Sequence, residues 1–95
     1  MPPPGYDWRY TVQITSTGTA DVKTATPTEL NAAGALITAE TNPARLTVDG
    51  STPSATNGHF VPTGMGPILI LLSSDVLKVV STTAANSILN ITWGY

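Results

Sequence analysis

Short runs of alternating apolar and polar residues, separated by breaks at Gly, Pro, Asn or Asp, fill the second half of this chain. Alternation with a period of two places successive side chains on opposite faces, as a half-buried β-strand requires. Several such runs at short spacing are typical of all-β proteins. The pattern therefore predicts a small all-β module, with its clearest strands at residues 44–49, 68–72, 76–81 and 87–93.

The first half of the chain carries a weaker form of the same pattern. Residues 28–33 fit either an N-capped helical turn closed by Gly34 or an irregular loop. Further strands are predicted at residues 6–15, 20–24, 36–40 and 59–61. About seven or eight short antiparallel strands result, which is enough for a small β-sandwich or a jelly-roll-like barrel.

The N-terminus predicts an extended arm at residues 1–8, followed by a single β-sandwich domain at residues 9–95. Consecutive prolines favour a stiff polyproline II segment that cannot join the interior of a sheet. The aromatic residues that follow alternate with polar ones in phase with Val12 and Ile14, so all of them are expected to share one face of the first strand. That face packs either on its own core or on a neighbouring subunit, since aromatic residues often anchor interfaces. The candidate partner-binding residues here are Pro2, Pro3, Pro4, Tyr6, Trp8 and Tyr10.

A second candidate contact region is the longest predicted loop, residues 49–58, which has turn signals at both ends in Asp49-Gly50 and Asn57-Gly58. Loops of this length on a rigid sheet often carry function. The candidate partner-binding residues in and beside it are Thr52, Pro53, Thr56, Asn57 and His59.

Residues 68–72 are all apolar, so both faces of this predicted strand are hydrophobic. Such a strand is expected either beneath another layer of the protein or at a contact with another subunit.

Charge is scarce and scattered. Only 11% of the 95 residues are charged, and the four basic residues are far apart along the chain. A groove that follows nucleic-acid phosphates needs clustered Lys and Arg, so no nucleic-acid partner is expected. The longest apolar run is much shorter than the ~20 residues of a membrane span, so no membrane partner is expected. Because there is no cysteine, a disulfide framework and a thiolate metal site are excluded.

Candidate catalytic groups are few. His59 is the sole histidine, and a metal site would need Glu40, Asp49 or Asp75 to converge on it without any recognisable ligand spacing. The loop at residues 49–58 holds a single carboxylate, too little charge for a typical calcium site. Serine is common, but no nucleophile elbow is present. The sequence therefore predicts a non-enzymatic protein without a cofactor or metal.

One part of the chain resembles a known family. A strand ending in Arg45-Leu46-Thr47-Val48-Asp49-Gly50 leads into Thr52-Pro53-Ser54-Ala55-Thr56-Asn57-Gly58-His59, and the chain closes on the aromatic-tipped strand Leu89-Asn90-Ile91-Thr92-Trp93-Gly94-Tyr95. This arrangement, over about residues 27–95, resembles small β-sandwich virion proteins of tailed bacteriophages. The resemblance implies a capsid decoration, or cement, protein that binds the major capsid protein or another virion protein. It further implies a homo-oligomer, with a trimer favoured. Such a protein would be made in the host cytoplasm and would lie on the outer surface of the virion head.

Two alternatives remain open. The chain fits a neck, tail or fibre-base component of a virion equally well. It also fits a carbohydrate- or receptor-binding β-sandwich in which Tyr6, Trp8, Trp93 and Tyr95 form a stacking platform for sugar rings.

Overall fold

The protein folds as an all-β structure with eight strands and no helix among its described residues. The computed structural model describes residues 6–64, 66–72 and 76–95. The strands are Trp8–Ser16 (β1), Lys23–Ala25 (β2), Gly34–Ala39 (β3), Ala44–Thr47 (β4), His59–Val61 (β5), Ile68–Leu71 (β6), Leu77–Ser81 (β7) and Ser87–Gly94 (β8). The predicted fold class is confirmed.

Two four-stranded antiparallel sheets form the two layers of a sandwich. The first sheet has the strand order β1-β8-β3-β6, and the second has the order β2-β7-β4-β5. Every neighbouring pair of strands runs antiparallel. Each sheet therefore has two edge strands, β1 and β6 in the first and β2 and β5 in the second.

The core lies between the sheets and is built from alternate residues of the strands. On β8, Leu89, Ile91 and Trp93 have no exposed surface, whereas the residues between them are half-buried. This is the period-two pattern that the sequence predicts for a strand with one face in a core. The core cluster also contains the fully buried large apolar side chains of Ile37, Leu46, Val61, Leu77 and Val79.

The predicted helical turn at residues 28–33 is absent. These residues form an irregular connection between β2 and β3, in which Asn31 has a φ of 66°. A residue in this left-handed region interrupts a right-handed helix. Of the two alternatives for this segment, the irregular loop is correct.

The first strand differs from its predicted alternation at one residue. A β-bulge shifts the register of β1 against β8 between Arg9 and Thr11, and Tyr10 within it has a φ of 55°. A bulge adds one residue to one strand, so it reverses which face the following side chains occupy. The expectation that Trp8 and Tyr10 share one face with Val12 is therefore wrong.

The sandwich also begins earlier than the predicted boundary at residue 9. Asp7 and Tyr95 exchange backbone hydrogen bonds of 2.9 and 3.0 Å, and Trp8 pairs with Gly94 as the first residue of β1. The segment from Asp7 onward thus belongs to the first sheet. The predicted arm residues Pro2, Pro3 and Pro4 lie outside the described residues.

Candidate assembly surfaces

An aromatic and aliphatic surface covers one end of the outer face of the first sheet. Directly opposed residues of antiparallel strands share a face, and Trp8 lies opposite Gly94, which alternates with the buried Trp93. Trp8 is therefore on the outer face of the sheet. The same register places Leu36, Leu69 and Leu71 on this face. We call Tyr6, Trp8, Leu36, Leu69 and Leu71 the outer patch.

Gly94 makes room for the ring of Trp8 on the outer face of the sheet, and the ring of Tyr6 packs beside Gly34. A Cβ atom at Gly94 would stand only 2.6 Å from Cζ3 of Trp8, and one at Gly34 would stand 3.4 Å from Cε1 of Tyr6. The rings of Tyr6 and Trp8 contact each other with centroids 5.0 Å apart. Both side chains are half-buried by this packing. The structure thus brings two of the predicted arm aromatics together on their own sheet.

Tyr10 belongs to a different cluster, built around the C-terminal residue. Its ring meets the ring of Tyr95 edge-on with centroids 6.2 Å apart, and the guanidinium of Arg9 lies 5.6 Å from the centre of the Tyr95 ring. Arg9 also pairs with Asp7 and Glu29, and the Tyr95 hydroxyl donates to the Glu29 carbonyl. The hydrogen bond that Arg9 donates to Asp7, together with the negative charges of Asp7 and Glu29, raises the pKa of Arg9. Because these ions are exposed, they contribute little to stability.

Arg45 holds the second half of the loop between β4 and β5. The Nε atom of Arg45 donates to the Ala55 carbonyl at 3.1 Å, and its Nη1 atom donates to the Gly58 carbonyl at 2.9 Å. The guanidinium also lies 5.3 Å from the centre of the Phe60 ring. A planar fork of donors suits two carbonyl acceptors at once. Arg45 therefore gives this long loop a defined shape, a role that the sequence pattern did not indicate.

Within the loop, the predicted contact residues divide by exposure. Thr52, Thr56, Asn57 and His59 are exposed, whereas Pro53 is buried. Pro53 therefore supports the loop and offers no surface to a partner. The exposed loop residues belong to the second sheet, while Tyr6 and Trp8 pack on the outer face of the first. The two predicted contact sets thus lie on different layers of the sandwich.

Asp49 organises the start of this loop and makes it sensitive to acid. Its Oδ1 accepts hydrogen bonds from the hydroxyl and the backbone N–H of Ser51, at 2.5 and 3.0 Å. These two bonds, the hydroxyl bond first, lower the pKa of the Asp49 carboxyl below its ordinary value. The turn at Asp49 is therefore stabilised by the ionised carboxylate.

We expect replacement of Ser51 with alanine to raise the pKa of Asp49 back towards the value of a free aspartate, about 3.9. Because the folded-state pKa is lowered, the stabilisation is complete above the unfolded-state pKa and is lost as the pH falls through the folded-state value. An NMR titration that follows the side-chain carboxyl carbon of Asp49 measures this pKa in the wild type and in Ser51→Ala. Thr19→Ala is the control, since Thr19 is exposed and far along the chain from Asp49. Identical Asp49 titrations in the wild type and Ser51→Ala would contradict this account.

A candidate metal centre is absent from the part of the chain that the structure describes. Within residues 6–64, 66–72 and 76–95, no three histidine or acidic side chains gather into a group that could hold a metal ion. The described residues also contain no helix long and apolar enough to cross a membrane. Asp75, one of the acidic residues considered for such a site, lies outside the described residues.

One of the four aromatic residues in the carbohydrate-stacking alternative is not accessible to a ligand. Trp93 is completely buried between the sheets, so its ring cannot stack on a ligand. Of the other three, Tyr6 and Trp8 belong to the outer patch and Tyr95 to the cluster with Arg9 and Tyr10. The structure does not bring these rings together into one platform.

Comparison with known proteins finds no matching family model, no matching curated protein and no matching solved structure. The functional proposal therefore depends on the surfaces described above and on the resemblance of residues 27–95.

Proposed function

We propose that this chain is a non-enzymatic structural protein of a tailed-bacteriophage virion, and that it decorates and stabilises the capsid as an oligomer. Its partner in this proposal is the major capsid protein or another virion protein. The trimer implied by the resemblance stays a prediction, as does the reach of Pro2, Pro3 and Pro4 onto a neighbouring subunit.

The observation that carries the proposal is the outer patch. Leu69 and Leu71 are exposed, and they lie on the same face as the half-buried Tyr6, Trp8 and Leu36. The strand that carries these leucines, Ile68–Leu71, has no charged residue, so little desolvation of charge opposes its burial by another protein. An apolar, aromatic and charge-poor surface is the composition found at the centres of protein interfaces.

The loop between β4 and β5 supplies a second, more polar surface. The exposed loop residues Thr52, Thr56 and Asn57 are uncharged, and Arg45 fixes the carbonyls on either side of the Thr56-Asn57 turn. A loop that is ordered before binding loses less conformational entropy when a partner binds. This supports a role in docking, and binding at many equivalent sites on a shell would add up the contribution of each weak contact.

The decisive experiment is to count this protein in purified virions of the phage that encodes it, by quantitative mass spectrometry. A decoration protein is expected in numbers comparable to the major capsid protein. A neck, tail or fibre-base component would be present in only a few copies per virion, and absence from the virion would contradict both roles.

A binding assay then tests the loop. We expect Thr52→Lys to weaken co-sedimentation of the purified protein with undecorated shells, because the new charge would need to be desolvated in the contact. Thr19→Lys is the matched control, since Thr19 is also an exposed threonine but lies in the turn between β1 and β2. Equal binding of the two variants would remove the loop from the interface. A glycan array with wild type and Trp8→Ala tests the carbohydrate-binding alternative separately.

A further inference from the structure

The four edges of the two sheets are not equally protected against pairing with another strand. On β1 the bulge at Tyr10 and the charge of Arg9 interrupt the edge, and both features discourage strand addition. The strands β2 and β5 are only three residues long. In contrast, β6 has the sequence Ile-Leu-Ile-Leu without bulge, proline or charge. It pairs with β3 on one side, and no described strand pairs with its other side.

The hydrogen bonds of β6 show which of its backbone groups point away from the sheet. The Leu72 N–H donates to the Ala33 carbonyl at 3.0 Å, towards β3. Backbone groups of successive residues in a strand point to opposite sides, so those of Ile68 and Ile70 also face β3. The N–H and C=O groups of Leu69 and Leu71 therefore face outward. Two donors and two acceptors lie in a row along an apolar edge.

We infer that β6 pairs with β6 of a second copy of this chain, antiparallel about a two-fold axis that passes beside Ile70. In this register Leu69 of each copy lies opposite Leu71 of the other. The two residues exchange N–H···O=C bonds, so all four outward groups of each copy are paired. The two first sheets become one continuous eight-stranded sheet.

The register follows from the residues that flank the strand. Centring the axis on Leu69 would place Leu71 opposite Pro67 of the other copy. Proline has no N–H, so the outward Leu71 carbonyl would lose its donor there. Centring on Ile70 avoids proline at every outward position of Ile68–Leu71. It also keeps Leu69 and Leu71 of both copies on the outer face, where they extend the outer patch across the two-fold axis.

The chemistry of this edge selects a copy of the same strand as its occupant. A row of outward N–H and C=O groups is matched by another extended backbone, which a sugar ring or a lipid chain does not provide. The occupant must also present apolar side chains on both faces and carry no charge that would be desolvated. The strand β6 itself meets each of these requirements in both copies. A two-fold contact between identical patches is the commonest arrangement in homo-oligomers.

This pairing is independent of the proposed virion role, since it concerns the free protein in solution. It also uses only β6 and the outer patch beside it, so a trimer built on other contacts is compatible with it. Failure of shell binding leaves the pairing intact, and loss of the pairing leaves the loop between β4 and β5 free to bind a shell.

The test compares two leucines of nearly equal exposure. Leu71 is 65% exposed on β6, and Leu30 is 67% exposed on the connection between β2 and β3. We expect Leu71→Lys to weaken self-association at least about tenfold by sedimentation across a dilution series, a change of about 1.4 kcal/mol. Leu30→Lys is expected to associate like the wild type. Both variants are expected to be folded, because both leucine side chains are exposed in the wild type. Circular dichroism and thermal unfolding check this.

A cross-link tests the register. Ile70 lies opposite its own copy as a pair without mutual hydrogen bonds, with Cα atoms about 4.5 Å apart, which a disulfide can span. Because the chain has no cysteine, Ile70→Cys introduces a single thiol. Under mild oxidation it is expected to give a covalent dimer of about twice the 9.9 kDa chain mass, whereas Leu30→Cys is not. A monomeric wild type, or equal association of Leu71→Lys and wild type, would overturn the inference.

Discussion

Replacing Trp93 with alanine is expected to lower the free energy of unfolding by about 3–5 kcal/mol, because Trp93 is the largest fully buried side chain among the described residues. The indole ring has no exposed surface and contacts the core formed by both sheets. Removing it leaves a cavity that strands paired on both sides cannot close. A 95-residue domain has a total stability of about 5–14 kcal/mol, so the variant is expected to be marginally folded. Urea-induced unfolding measures the difference.

Two further variants show whether the burial of Trp93 is the cause. The Trp93 Nε1 group is buried and has no hydrogen-bond acceptor among the described residues. Trp93→Phe removes this unpaired donor and keeps an aromatic ring, so it is expected to cost less than half as much as Trp93→Ala. Trp8→Ala removes a half-buried indole from the outer patch. It is also expected to lower the free energy of unfolding by less than half as much as Trp93→Ala does. A cost for Trp8→Ala equal to that of Trp93→Ala would show that the core assignment is mistaken.

Replacing Ser16 with alanine is expected to lower the free energy of unfolding by about 1–3 kcal/mol, although the change removes a single oxygen atom. Ser16 is fully buried at the end of β1, where its Oγ accepts the Ser81 N–H at 2.9 Å and donates to the Asp21 carbonyl at 2.6 Å. Without this oxygen, the N–H of Ser81 is buried with no acceptor. Because Ser81 is on β7, the bond also links the first sheet to the second.

The accompanying measurement is amide hydrogen exchange at Ser81, which is expected to become faster in Ser16→Ala because its acceptor is gone. Thr19→Ala, on the exposed turn that follows β1, is the control and is expected to change stability by no more than about 0.5 kcal/mol. Unchanged exchange at Ser81 combined with unchanged stability would mean that the hydroxyl of Ser16 does not connect the sheets.

Three buried serines close this end of the sandwich as one unit. Ser87 on β8 donates to Ser81 Oγ at 2.9 Å, and the two share the same end of the core with Ser16. Nothing in the sequence distinguishes these three from the exposed serines and threonines around them. Their importance depends on burial, and burial at this point results from the meeting of β1, β7 and β8, which are far apart along the chain.

The candidate surfaces were predictable to different degrees. Turn signals act between neighbouring residues, so the sequence predicts the exposed loop region that carries Thr52, Thr56, Asn57 and His59. The grouping of Tyr6 and Trp8 without Tyr10 did not follow, because the bulge that separates them arises from the pairing of β1 with β8. Likewise, apolar residues on both faces of β6 predicted either a buried strand or a subunit contact. Only the sheet order shows that β6 is an edge strand.

The strand pattern of the chain encodes the all-β class and the approximate bounds of the strands, because alternation and turn chemistry act between residues a few positions apart. The sequence pattern predicts His59–Val61 with the same bounds, and the strand that it predicts at 87–93 is one residue longer in the structure. The partners of each strand, the bulge at Tyr10, the burial of the serines and the exposure of Leu69 and Leu71 depend on contacts between distant segments. Those contacts are set by how two sheets bury their apolar faces together, which no local pattern contains.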